Sequence, residues 1–287
     1  MSRPCPYPSQ HGVSATAAAM VLAVRGTPVQ KNPLRRSDPS SPYCYSVDAY
    51  GSSLLLPEGG GGGPSSPSPP ANFLATQVWP SARAAASALV SHADPSWTVV
   101  ELGCGPGLPS LAFAAVATRA SSGGRAVATD LDPFALDLVR AAATAQNFGP
   151  LSLSAEVHDL LAQDRDLPRG DLYVMSDVFE DGAVARGAAL QTVRALRRQK
   201  RRVGTEGSED GEARVWIFSQ SDRAQREGYR SELIDLLRRE KEEDDRQGGR
   251  MLGDVDWKGL DWSSEVDFVG GGRLLLVDVD ETMVEYC

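Results

Sequence analysis

The sequence predicts an α/β domain wound on both faces of a mostly parallel sheet, and three observations carry that expectation. Short apolar runs alternate with helix-forming segments from residue 82 to the C-terminus. A glycine-rich turn joins the first of these runs to the helix after it. Acidic residues stand at the ends of the runs, where an open parallel sheet presents its ligand crevice.

The elements follow in order. Residues 82–90, rich in Ala, Leu and Val, read as a helix that Asp94-Pro95 ends. The apolar run 97–102 stops at glycines, as a buried parallel strand does. A helix over 109–119 follows, then a strand over 125–129, a helix over 133–146 and strands over 151–157 and 171–176. The next helix spans 183–198 and runs into a basic cluster at 197–202, which reads as a solvated helix end. Residues 204–212 form an exposed Gly- and Glu-rich loop, 213–219 a fifth strand, and 223–245 a long charged helix. Three glycines between 264–269 and 273–279 signal a closing hairpin.

This domain occupies residues 72–287 of the 287-residue chain. Residues 1–42 read as a disordered or targeting tail: the first 37 carry Arg3, Arg25, Lys31, Arg35 and Arg36 with no acidic residue, a composition shared by transit peptides and plain disordered tails. Residues 43–58 can form an edge strand or hairpin, and 59–71, opening with five glycines, read as a Gly/Ser/Pro linker or loop insertion. A formal net charge of -9 argues against sequence-independent binding to nucleic acid or anionic lipid. The four cysteines show no C-x-x-C pair, so neither a zinc site nor a disulfide framework is expected. No apolar stretch approaches a membrane span, and the expectation is a soluble intracellular monomer, in the cytoplasm or in an organelle if the tail directs import.

The chemistry is written at the strand ends. Glu101-Leu102-Gly103-Cys104-Gly105-Pro106-Gly107 alternates glycines directly after a strand and before a helix. Without Cβ atoms such a loop turns tightly and lets a ligand approach backbone N–H groups. Leu108 stands where a dinucleotide fingerprint requires a third glycine or alanine, which weakens a reading for NAD. Asp130, ending the next strand, is placed to accept hydrogen bonds from both hydroxyls of an adenosine ribose; a merely solvated strand-end carboxylate is the alternative. Asp132 reads as the cap of the helix at Pro133. His158 and Asp159 at the third strand end can reach an adenine, Asp159 by accepting from its amino group. At the fourth end, Ser176-Asp177-Val178-Phe179-Glu180-Asp181 offers carboxylates that can steer a cationic acceptor or take its proton, or else favour the first turn of the next helix.

In this order of features the chain resembles the seven-strand class I S-adenosylmethionine-dependent methyltransferases. The glycine loop looks like their first motif, including Glu101, Gly103, Cys104, Gly105 and Gly107, and Asp130 looks like their ribose-holding acid. The closing hairpin is similar to their reversed final strand, so the resemblance implies a Rossmann-like, seven-stranded sheet that is mostly parallel with an antiparallel final strand. Ala75-Thr76-Gln77-Val78-Trp79-Pro80-Ser81-Ala82 looks like the segment entering the first helix of the non-histone protein lysine methyltransferases, which implies a cofactor contact at Trp79. Residues 176–181 are similar to that family's fourth motif, though Phe179-Glu180 stands where relatives commonly carry Tyr-Asp. The resemblance implies S-adenosylmethionine as cofactor and a lysine-bearing protein as acceptor; the strand-end positions make His158, Asp159 and Ser176 the further expected cofactor contacts and Asp177 the expected catalytic carboxylate, with no metal required. A small-molecule methyltransferase and a non-catalytic binding module are the rival readings.

Overall fold

A computed structural model of the chain describes residues 45–49, 52–56, 78–179, 181–203, 213–246, 260–262, 265–268 and 272–279. The expected tail, the linker at 59–71, the loop at 204–212 and Glu180 lie outside these residues, as do the side chains of 198–203. Strands β1 (Tyr45–Ala49) and β2 (Ser52–Leu56) pair antiparallel as a separate hairpin. The remaining strands are β3 (Thr98–Leu102), β4 (Arg125–Asp130), β5 (Leu153–Val157), β6 (Leu172–Ser176), β7 (Ala213–Gln220), β8 (Glu265–Phe268) and β9 (Gly272–Val279). They form one sheet in the order β5-β4-β3-β6-β7-β9-β8.

Six of these strands, from β5 through β9, run parallel, and counted from β3 they follow the order 3-2-1-4-5-6 of a Rossmann-like sheet. Among the described residues the final strand is not the antiparallel one expected. β9 pairs parallel with β7 over eight residues, and the reversed strand is the short β8 on the outer edge. A hairpin supplies one strand of each direction, so which one takes the inner place depends on its side chains. The Leu-Leu-Leu-Val run of β9 suits burial from both sides, whereas the Glu-Val-Asp-Phe of β8 suits an edge.

Alternation within single strands divides the core between the two faces. Val99, Leu172 and Val174 face one cluster with Leu89, Leu111, Phe113, Leu136 and Val139, while Val100, Tyr173, Met175 and Ile217 face the other with Tyr229, Leu233 and Leu237. Helices α1 (Pro80–His92), α2 (Leu108–Ala120) and α3 (Pro133–Ala145) cover the first face. Helices α4 (Gly182–Val203) and α5 (Arg226–Arg246) cover the second. Among the described residues no helix is long and apolar enough to cross a membrane.

Helix starts obey local chemistry. Asp132 caps α3 by accepting from the Phe134 N–H at 2.9 Å, and Asp181 accepts from the N–H groups of Ala183 (2.7 Å) and Val184 (2.9 Å) at the start of α4. α4 continues past its expected end at residue 198, and beside α5 the two helices are linked by an ion pair between Arg197 and Glu240. β5 begins two residues late because Leu151, counted as strand, sits 87% exposed in the turn before it.

The inner placement of β9 sets a measurable cost. Leu274 and Leu276 are fully buried, so changing either to Ala should lower stability by about 2–5 kcal/mol in urea unfolding. Losses well under 1 kcal/mol would put β9 at an exposed edge instead.

Candidate functional site

The ends of β3, β4, β5 and β6, with the residue that opens α1, enclose a pocket of about 320 Å³. It lies at the C-terminal ends of the strands, where the chain direction around β3 leaves helices on opposite faces. Its floor is the glycine loop. Gly103, Gly105 and Gly107 all hold positive φ, at 70°, 50° and 74°. At two of them the need for glycine is also steric: a Cβ on Gly103 would sit 2.6 Å from Val178 Cγ1, and one on Gly107 2.6 Å from Val139 Cγ2.

Asp130 fixes this loop. Its Oδ2 accepts from the Gly105 N–H at 2.8 Å and its Oδ1 from the Asp132 N–H at 2.9 Å. Each oxygen accepts one bond and keeps further acceptor capacity, and Asp130 lines the pocket. Burial pushes the carboxyl above its ordinary value, and the two backbone bonds oppose that push.

The structure brings Trp79, Gly103, Cys104, Gly105, Asp130, His158, Asp159, Ser176 and Asp177 together in the pocket wall. Glu101 and Gly107, counted as cofactor contacts in the sequence, do not line it. Gly107 is the left-handed residue that opens α2 and packs on Val139. Glu101 is fully buried below the loop, its Oε2 accepting from the Ser110 N–H (2.9 Å) and hydroxyl (2.5 Å), while Oε1 has no partner. Burial raises its pKa to about 8, so Glu101 is mostly neutral at pH 7 and pins β3 to the first turn of α2.

Other site residues are partly committed to the fold. Asp159 Oδ1 accepts from the Leu161 N–H at 2.8 Å. His158 is 4% exposed, its Nε2 has no partner, and burial, with Arg194 nearby, lowers its pKa and keeps the ring neutral. Asp177 adopts a left-handed φ of 51°, rare for a side-chain-bearing residue, and its N–H donates to the Phe218 carbonyl at 3.0 Å. Its Oδ1 accepts from the Gln220 N–H at 3.1 Å, and its Oδ2, without a hydrogen bond, lies 3.5 Å from Arg223 Nη2.

Sequence reasoning missed two features of the site. Leu131 is 60% exposed and Leu161 47% exposed, and with Leu160 they make one end of the pocket apolar. Large apolar residues directly after Asp130 and Asp159 were the available signal, since a strand end offers them no core to enter. Arg223 was the second omission: its guanidinium lies 4.6 Å from the Trp79 ring centroid while facing Asp177. Nothing local in the sequence links these three positions.

Neither a protein-family model nor a curated protein matches the chain. Among solved structures it is distantly similar to methyltransferases. Coclaurine N-methyltransferase bound to N-methylheliamine and SAH matches at 18% identity over 34% of this chain and 28% of that one, with a TM-score of 0.27. PKMT2 from Rickettsia typhi, in complex with AdoHcy, matches at 16% identity over 33% and 19%, TM-score 0.27. A TehB-like SAM-dependent methyltransferase from Corynebacterium glutamicum matches at 23% identity over 42% and 58%, TM-score 0.30. The chain thus spans less than two thirds of each of these proteins, and the functional reading rests on its own site.

The proton on Glu101 gives a testable pH dependence. Its folded pKa of about 8 lies above the ordinary 4.5, so its stabilising contribution is complete below about pH 4.5 and is lost as pH rises through about 8. Glu101→Gln stays neutral throughout. The melting temperature of the wild type relative to this variant should therefore fall between pH 5 and pH 8.5, and a constant difference would show that Glu101 titrates normally.

Proposed function

We propose that this chain is an S-adenosylmethionine-dependent methyltransferase whose acceptor is a lysine side chain of a protein. The observation that carries the cofactor reading is Asp130: a carboxylate at the second strand end, fixed by the Gly105 and Asp132 N–H groups, with acceptor capacity left over beside a glycine loop. A ribose diol needs that pair of oxygens. Leu131, Leu160 and Leu161 suit the faces of an adenine, and the unpartnered Nε2 of His158 and the Asp159 carboxylate suit its polar edge.

Charge supports this cofactor over a dinucleotide. The pocket wall carries Asp130, Asp132, Asp159 and Asp177, which would repel a pyrophosphate and attract a sulfonium or an ammonium. Leu108, buried and lining the pocket, also occupies the position at which a dinucleotide loop needs a small residue.

S-adenosylmethionine supplies a methyl group on a positively charged sulfur that a nucleophile can attack in line. The chain's own contribution is then positioning. Asp130 and the leucines hold the adenosine end, which leaves Trp79, Ser176 and Asp177 at the other end. There Asp177 Oδ2, buried and without a hydrogen bond, is the group able to orient an amine or receive its proton. The lysine acceptor rests on the resemblance of residues 75–82 and 176–181 to protein lysine methyltransferases, and the net charge of -9 is compatible with a basic partner.

Calorimetric titration of the whole chain tests the cofactor. S-adenosylmethionine should bind, NAD should not, and Asp130→Asn should weaken binding by about tenfold or more through loss of charge-assisted bonds. Binding of NAD alone would overturn the reading. The acceptor is tested separately by incubating the protein with methyl-labelled cofactor and fractionated extract. Label should appear on protein lysines; label confined to small molecules would replace the protein acceptor with a metabolite.

A further inference from the structure

We propose that Arg223 is a positioning residue: it locks Trp79 and Asp177 into the pocket wall and so sets how tightly the amino-acid part of the cofactor is held. This rests on the cofactor reading above. Trp79 and Asp177 lie far apart in the chain, one opening α1 and the other ending β6, yet both line the same end of the pocket. Arg223, in the turn after β7, is the group that joins them. Its guanidinium stacks over the Trp79 ring at 4.6 Å and lies 3.5 Å from Asp177 Oδ2, while Nη2 donates to Gln220 Oε1 at 2.9 Å.

The arrangement is costly enough to need a reason. The Asp177 side chain is 1% exposed and sits on a left-handed backbone, and the Arg223 Nε is buried with no hydrogen-bond partner. Such a guanidinium is held by its flat face and its charge together, since its donors are not all satisfied. The Trp79 backbone is tied to α1, its carbonyl accepting from the Ala82 (3.1 Å) and Arg83 (3.3 Å) N–H groups, but its side chain makes no cap bond, so the stack is what orients the ring. Without the charge, the Asp177 carboxylate is left buried beside its Gln220 bond alone. Arg223 does not itself line the pocket, so its effect must pass through these two residues.

Two ligands separate this role from general support of the fold. S-adenosylhomocysteine carries the amino-acid part; 5′-methylthioadenosine lacks it and should engage only the Asp130 end. Arg223→Met should weaken S-adenosylhomocysteine by about tenfold in calorimetry while leaving methylthioadenosine within about twofold. Arg223→Lys keeps the charge but loses the planar stack, and should fall between wild type and Arg223→Met for S-adenosylhomocysteine only. If Arg223→Met does not fold, the lysine variant carries the test alone. Equal losses for both ligands, or no loss for S-adenosylhomocysteine, would overturn the proposal. A wild type that binds neither ligand would instead remove the cofactor reading on which it stands.

Discussion

The bond from the Gly105 N–H to Asp130 Oδ2 is the interaction on which the site depends. It ties the loop after β3 to the end of β4, and so converts a flexible run of glycines into a fixed wall. The same carboxylate accepts from Asp132, whose own side chain caps α3. One acidic residue thereby joins two strand ends and the helix that follows. Asp130 also lines the pocket with acceptor capacity to spare, so under the proposed function the group that builds the site and the group that would read the ligand are one.

Below this bond the fold supplies a second fixed point. Glu101 anchors the first turn of α2 from beneath, as a neutral hydrogen-bonding group at pH 7. The glycine loop is therefore gripped from both sides, by an aspartate on the pocket side and a protonated glutamate on the core side. Burial pushes both carboxyls upward and hydrogen bonds oppose it in each, from the Gly105 and Asp132 N–H groups at Asp130 and from Ser110 at the fully enclosed Glu101, which is raised to about 8.

Much of this was legible in the sequence, for physical reasons that are easy to name. Parallel strands buried on both faces leave continuous apolar runs, so β3, β4 and β6 stood out, and the Asp132-Pro133 pair announced the cap and start of α3. Asp130 and the glycines are local signals, one loop and one strand end. Contacts between distant segments left no such trace. Arg223, Trp79 and Asp177 meet only because β6 and β7 are neighbours, and the choice between β8 and β9 for the inner position is decided by packing against β7 rather than by the hairpin's turn. Glu101 illustrates the same limit: its position in the loop motif suggests a ligand contact, whereas its burial and its bonds to Ser110, which no local signal announces, place it beneath the pocket wall.

The split of the core by alternate residues of β3 has a consequence for how this domain can vary. Val99 and Val100 belong to opposite faces, so the strand works like a reading frame with a period of two. Inserting one residue between Thr98 and Val99, with the start of β3 held in place, would exchange the two faces for the rest of that strand. Inserting two would preserve the faces but push the glycine loop about 7 Å past the end of β4, out of reach of the carboxylate that holds it. Length changes can thus accumulate in the turns before β3 and β4, while the run from Val99 to Gly107 and the run from Arg125 to Asp130 must each keep their spacing.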